Sequence, residues 1–155
     1  MAMEWFDAIS VSKVWNRLFV GGYAQAAKLP VSNPFNIQAV LDVSTEPPYL
    51  EAKDILYLHV PFNDGEGIPS AKFWACMNFL FEHYKKGDTI LIHCAAGISR
   101  SVTIAASFLH YAHILDFPQA LDEICKRRPI ASPQVDVVNS ARKLLRVWPY
   151  DGSMS

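Results

Sequence analysis

Cys94 and Arg100 bracket five residues, Ala95-Ala96-Gly97-Ile98-Ser99. Before them runs Thr89-Ile90-Leu91-Ile92-His93, an apolar, β-branched stretch with the character of a strand buried on both faces. After them Arg100 to His113 has the apolar content of a buried helix. The bracketed residues are therefore a tight turn from a strand into a helix. A helix N-terminus presents unpaired backbone N–H groups and the positive end of its dipole, so it is a ready anion site. Successive N–H groups in a tight loop make a nest for the same anion. Gly97 supplies a backbone freedom that other residues lack, and Ala95 and Ala96 keep side chains small around the cup. Ile98 and Ser99 complete its wall. Arg100 adds a planar fork that holds two phosphate oxygens at once. Cys94 falls at the bottom, where the positive field favours thiolate over thiol. A thiolate facing a phosphate monoester is placed for in-line attack on phosphorus, giving a phosphocysteine that water then hydrolyses. Ser101 can donate its hydroxyl proton to the sulfur as it leaves. His93 is read as a residue that orients the loop by hydrogen bonding.

Other strands must carry this turn. Leu18-Phe19-Val20 running into Gly21-Gly22, Gln38 to Val43, and Ile55 to Val60 read as three further strands. The last two are nearly continuous apolar runs, as expected for strands buried on both faces. Ser70 to Lys86 places Phe73, Met77, Phe81 and Tyr84 at helical spacing, with Gly87 as the stop. Pro118–Arg127 and Gln134–Val147 are helical too, and Pro118 suits a helix start. Alternating strands and helices predict an α/β fold: a mostly parallel central sheet of about four to five strands with helices on both faces. Ligands in such sheets bind beyond the carboxyl ends of the strands, which is where Cys94 lies.

The chain has 155 residues, the size of one domain spanning 1–155. Hydrophobic residues make up 51% and charged residues 19%, a composition that excludes a disordered chain. The net charge of −1 gives no overall field for nucleic acid or an anionic membrane. Glu4 and Asp7 stand where a secretory signal carries Lys or Arg. The longest uncharged apolar stretch, between Arg100 and Asp116, is too short for a membrane span and contains His110 and His113. Three separated cysteines argue against a disulfide framework and suit a reducing compartment, the cytoplasm or nucleus.

The segment from His93 to Ser101 resembles the His-Cys-x-x-Gly-x-x-Arg-Ser/Thr signature of cysteine-dependent protein phosphatases, most of all the small dual-specificity phosphatases. Leu18-Phe19-Val20-Gly21 is similar to that family's Leu-Tyr-Leu-Gly strand end. Leu41-Asp42-Val43-Ser44 resembles its second strand, where Asn often replaces Asp42. Arg127-Arg128-Pro129 with Pro133 is similar to its tail motif, with Gln134 in place of the usual Asn. The likeness spans roughly residues 14–147. It implies a phosphatase-like fold with the phosphate loop between a central strand and the next helix. It also implies metal-independent hydrolysis without cofactor, and phosphotyrosine and phosphoserine/threonine proteins as substrates. Lipid phosphatases on this fold often carry lysines inside the loop, and Ala95, Ala96, Ile98 and Ser99 are all uncharged. Rival readings are a phosphoinositide, phosphosugar or RNA 5′-end phosphatase, a non-catalytic phospho-binding module, and sulfur or arsenate transfer through the same loop.

The resemblance further implies a general acid, an Asp on a loop ahead of the cysteine, and Asp64 in Pro61-Phe62-Asn63-Asp64-Gly65-Glu66-Gly67 matches it. Glu66 is the local rival, and Asn-Asp-Gly is also simply a turn sequence. The two glycines suggest a mobile segment. His59, His83, His110 and His113 lack metal-ligand spacing. Cys76 and Cys125 read as core thiols, with a redox pairing to Cys94 as the alternative. Arg127 and Arg128 either meet a second acidic group at the mouth or form ordinary surface pairs. Trp5, Trp15, Trp74 and Trp148 read as packing residues.

Overall fold

The computed structural model describes residues 11–147. Glu4, Trp5, Asp7, Trp148 and Pro149, and with them the outer ends of the 1–155 span, lie outside the described residues. Along the chain come β1 (Val11–Trp15), β2 (Leu18–Gly22), α1 (Tyr23–Ala27), β3 (Ala39–Asp42), β4 (Leu56–His59), α2 (Ser70–Lys85), β5 (Ile90–Cys94), α3 (Arg100–Tyr111), α4 (Phe117–Arg127) and α5 (Val135–Arg146). The strands form one five-stranded sheet in the order β1-β2-β5-β3-β4. β2, β5, β3 and β4 run parallel, and β1 is antiparallel to β2.

β5 is central, and all five of its residues are buried. Side chains alternate across it as strand geometry requires. Leu18, Val20, Leu41, Ile90 and Ile92 face the larger core with Phe73, Met77 and Leu80 of α2, Ile104 and Phe108 of α3, Ile124 of α4 and Val137 of α5. Phe19, Val40 and Leu91 face a smaller one closed by Ala26, Leu29, Ile37 and Ile55. The expected helices on both faces are thus unequally shared. Four lie on one side, and the five-residue α1 with neighbouring loops closes the other.

Three local expectations change. β4 is an edge strand, and Leu56 is 58% exposed, so this apolar run is not buried on both faces. The buried stripe of α2 is Phe73, Cys76, Met77, Leu80 and His83, which leaves Phe81 exposed and Tyr84 half-buried. β1 is a strand that the sequence pattern does not announce, with only Val11, Val14 and Trp15 apolar and a register shift between Lys13 and Trp15. α2 ends where Gly87 was expected to stop it. Gly87 has φ +93, and its N–H donates to the Tyr84 carbonyl at 3.1 Å while Asp88 N–H donates to that of His83 at 3.0 Å.

The two aromatic positions of α2 should respond differently to truncation. Phe73→Ala is expected to cost about 3–5 kcal/mol in urea unfolding, and Phe81→Ala less than about 1 kcal/mol. Equal losses would contradict this placement of the helix.

Candidate active site

Four parallel strands end on one edge of the sheet, with Gly22, Asp42, His59 and Cys94 as their last residues. The turn from β5 into α3 crosses the middle of that edge. Its carbonyls are bonded from outside, one after another. Ala95 C=O accepts Tyr23 N–H at 3.0 Å and Ile98 C=O accepts Ser132 N–H at 2.9 Å. Ala96 and Gly97 C=O accept Nη2 and Nε of Arg128 at 3.2 and 2.6 Å. Ser99 C=O accepts the N–H and the hydroxyl of Thr103 at 2.9 and 3.0 Å. With the carbonyls turned outward, the amides turn inward. Among the described residues no group accepts from the N–H of Ala96 through Arg100. Gly97 has φ +68, and a Cβ there would lie 2.6 Å from both Gly21 O and Arg128 Nη2, so no other residue fits.

Cys94 is buried at the foot of this loop, with Sγ 3.2 Å from the buried Ser101 Oγ. Arg100 is only 8% exposed. Its Nη1 donates to the Phe62 carbonyl at 3.1 Å, and its Nε is buried without a hydrogen-bond partner among the described residues. A buried guanidinium N–H left unpaired is costly, and an oxyanion held by the inward amides offers it an acceptor. The predicted residues Cys94, Ala95, Ala96, Gly97, Ile98, Ser99, Arg100 and Ser101 therefore come together as one cup.

Asp64 comes to the cup's rim from the β4–α2 connection. Its Oδ1 accepts from Ser99 Oγ at 2.7 Å. Glu66 instead meets Asn63 Nδ2 at 3.4 Å in the exposed tip of its own loop. The ends of this loop are anchored by the buried Phe62 and Ile68. Ser140 Oγ accepts the Ile68 N–H at 2.9 Å, and Lys72 Nζ donates to the Pro61 carbonyl. Gln134 takes part through its backbone N–H, which donates to Ser99 Oγ at 2.9 Å. A side-chain change at that position therefore leaves the contact intact.

Behind the cup, His93 is fully buried, with Nδ1 3.3 Å from the Cys94 carbonyl and Nε2 2.7 Å from Tyr49 Oη. Burial lowers its pKa, and the Asp42 carboxylate, 3.7 Å away, opposes that shift. In the neutral ring Nδ1–H donates to Cys94 C=O and Nε2 accepts from Tyr49. Burial, with Asp42 nearby, raises the Tyr49 pKa and keeps the phenol a donor.

Arg128 and Arg127 part company. Arg128 is fully buried and also donates to Ser12 Oγ at 2.9 Å, so it braces the loop from beneath rather than reaching the mouth. Burial lowers its pKa, and the nearby Cys94 sulfur opposes the shift. Arg127 pairs at the surface with Glu123 at 2.9 Å and lies over the Trp15 ring at 5.0 Å. Adjacent sequence positions gave no sign of this split. Tyr49 was equally hidden, in a loop outside every motif. Cys76 is buried in the main core, its thiol pushed up to about 12 by burial. Cys125 is half-buried, its thiol also raised by burial. Among the described residues no cluster of His, Cys, Asp and Glu could hold a metal, and no helix is long and apolar enough to cross a membrane.

A family model described as dual specificity phosphatase, catalytic domain, matches residues 18–144. Dual specificity protein phosphatase 1 of Arabidopsis thaliana is 30% identical over 128 residues, which cover 82% of this chain and 65% of that protein. Dual specificity protein phosphatase 15 of Homo sapiens is 33% identical over 117 residues, covering 75% of this chain and 39% of that one. The chain thus spans less than two thirds of the length of either relative. The crystal structure of DUSP15 superposes with a TM-score of 0.75 at 30% identity, covering 92% of this chain and 89% of that one. A mouse putative dual specificity phosphatase complexed with zinc tungstate shares the fold with a TM-score of 0.80 at 21% identity, over 92% of this chain and 91% of its own.

The two arginines at the end of α4 should separate in an oxyanion-binding assay. Arg128→Met is expected to weaken vanadate affinity by about tenfold or more, at least about 1.4 kcal/mol, and Arg127→Met to leave it unchanged. A loss confined to Arg127→Met would contradict the bracing role.

Proposed function

The chain belongs to the dual-specificity phosphatase family, and on that premise we propose that it hydrolyses phosphate monoesters through a Cys94 phosphocysteine, without a metal or cofactor. The proposed substrates are phosphotyrosine and phosphoserine/threonine in proteins. The observation that carries the reading is the Cys94 sulfur, 3.2 Å from Ser101 Oγ, beneath a loop whose carbonyls are all bonded outward.

In the first step the phosphoryl oxygens occupy the inward amides and the Arg100 fork. Donors fixed in place before reaction stabilise the charge that develops on those oxygens. Sγ of Cys94 attacks phosphorus, the P–S bond forms, and the P–O bond to the leaving group breaks. Asp64 delivers its proton to the departing oxygen. In the second step Asp64, now a carboxylate, takes a proton from water as that water attacks phosphorus. The P–S bond breaks, and Ser101 donates a hydrogen bond to the leaving sulfur. Uncharged side chains at Ala95, Ala96, Ile98 and Ser99 suit a monoester of modest charge. The same reading places the chain in a reducing compartment such as the cytoplasm, with no nucleic-acid or membrane partner.

Initial rates on a small aryl phosphate with EDTA present test the proposal. Wild-type turnover should survive EDTA, vanish in Cys94→Ser, and fall together with oxyanion binding in Arg100→Ala. Asp64→Asn should lose about 10²–10⁴-fold, the usual contribution of a positioned acid. Turnover that persists in Cys94→Ser, or that EDTA abolishes, would overturn the mechanism.

A further inference from the structure

We propose that the cavity where α3, α4 and α5 meet binds a small aryl carboxylate, at a site separate from the cup. The cavity measures about 190 Å³ and is lined by His110 of α3, Phe117 and Pro118 of α4, and Arg142, Leu145 and Arg146 of α5. Ten residues of α3, about 15 Å of helix, separate His110 from Arg100. The floor is apolar, with Phe117 3% and Leu145 4% exposed. The rim is cationic. Arg142 and Arg146 are exposed and stand four positions apart, on one face of α5. Like charges at that spacing repel, and an anion between them relieves the repulsion.

No group of this chain supplies that anion. Arg142 Nη1 donates to Asn139 Oδ1 at 3.3 Å, an uncharged partner. Among the described residues neither arginine pairs with a carboxylate, and no carboxylate lines the cavity. Arg127 shows the contrast, since Glu123 holds it at 2.9 Å. His110 adds an uncharged donor. Phe117 N–H donates to its Nδ1 at 3.1 Å, so the ring hydrogen lies on Nε2. Phe117 and Pro118 also open α4, and the positive end of that helix dipole favours an anion.

Size and shape narrow the ligand. An engineered apolar cavity of about 150 Å³ holds one benzene molecule, so this one takes a single aromatic ring and little more. The Arg142 guanidinium carbon lies 5.9 Å from the centre of the Phe117 ring. A charged group on Arg142 therefore leaves its apolar end beside Phe117 only if a short link joins the two. Guanidinium forks match the planar, two-oxygen edge of a carboxylate. The ring of inward amides that suits a phosphoryl group belongs to the cup. A phenyl ring two carbons from a carboxylate, as in 3-phenylpropionate, meets each of these demands.

The experiment titrates the ¹⁵N-labelled full chain with 3-phenylpropionate and follows backbone amide shifts, with excess inorganic phosphate present to compete for the cup. Shifts are expected at residues 119–121 and 142–146, with residues 95–100 unmoved. The uncharged 3-phenylpropanol should bind about tenfold or more weakly, the usual worth of a hydrogen bond to a charged group. The double variant Arg142→Gln/Arg146→Gln should lose affinity for the acid by a similar factor, and Arg127→Gln should leave it unchanged. The acid–alcohol comparison needs no variant, so it decides the question if the double variant folds poorly. Shifts confined to residues 95–100, equal affinities for the acid and the alcohol, undiminished binding in a folded double variant, or no shifts up to the solubility of the acid would overturn the proposal. Turnover plays no part in this readout, so it stands apart from the phosphatase reading.

Discussion

The outward bonding of five consecutive carbonyls is the constraint on which the site depends. A loop that returned its carbonyls to the cup would repel the anion that, on the proposed function, its amides hold. Arg128 satisfies the two carbonyls at the loop's apex, from a position beneath it that only a fully buried guanidinium can occupy. Burying a charge is expensive unless it is fully bonded. Here the cost is offset by bonds to Ala96, Gly97 and Ser12 and by the neighbouring Cys94 sulfur. The same close approach explains Gly97, where a Cβ would meet Arg128 and Gly21 at 2.6 Å.

Around that loop, several elements are joined by polar contacts rather than by apolar packing alone. Tyr23 at the start of α1 holds Ala95, and Ser132 and Gln134, between α4 and α5, hold Ile98 and Ser99. Arg100 reaches the Phe62 carbonyl, and Ser140 of α5 accepts from Ile68. The connection bearing Asp64 is thus tied at both ends, with its exposed tip left to the Ser99 contact. Its glycines alone would suggest free movement, but Phe62 and Ile68 confine that freedom to residues 63–67. On the other side His93 links the Cys94 carbonyl to Tyr49, so a single residue serves both the sheet face and the cup.

The convergence of the candidate site residues was legible in the sequence because it is local. Cys94, Gly97, Arg100 and Ser101 sit within one turn and the start of one helix, and their spacing needs no tertiary information. The four parallel strands were legible for the same reason. What depends on distant partners was not. Nothing in Ile55 to Val60 says that it forms the sheet edge, since burial is set by neighbours and not by the strand itself. Likewise, Phe81 fits the helical spacing of α2, but the core lies under Cys76 and Leu80 instead. β1 is too polar to stand out, and it is defined by its pairing to β2. Arg127 and Arg128 look alike in sequence, and only the fold shows which points inward. Tyr49 could have been suspected only by asking what satisfies a buried His93.

The proposed function requires a bond between the Cys94 sulfur and phosphorus. Rapid acid quenching during turnover of a radiolabelled aryl phosphate, followed by mass spectrometry of the peptide containing Cys94, addresses it most directly. Label on Cys94 is expected to appear within the first turnover and to disappear as substrate is exhausted. Label on another residue, or turnover with no labelled peptide in quenches fast enough to catch a single cycle, would contradict it.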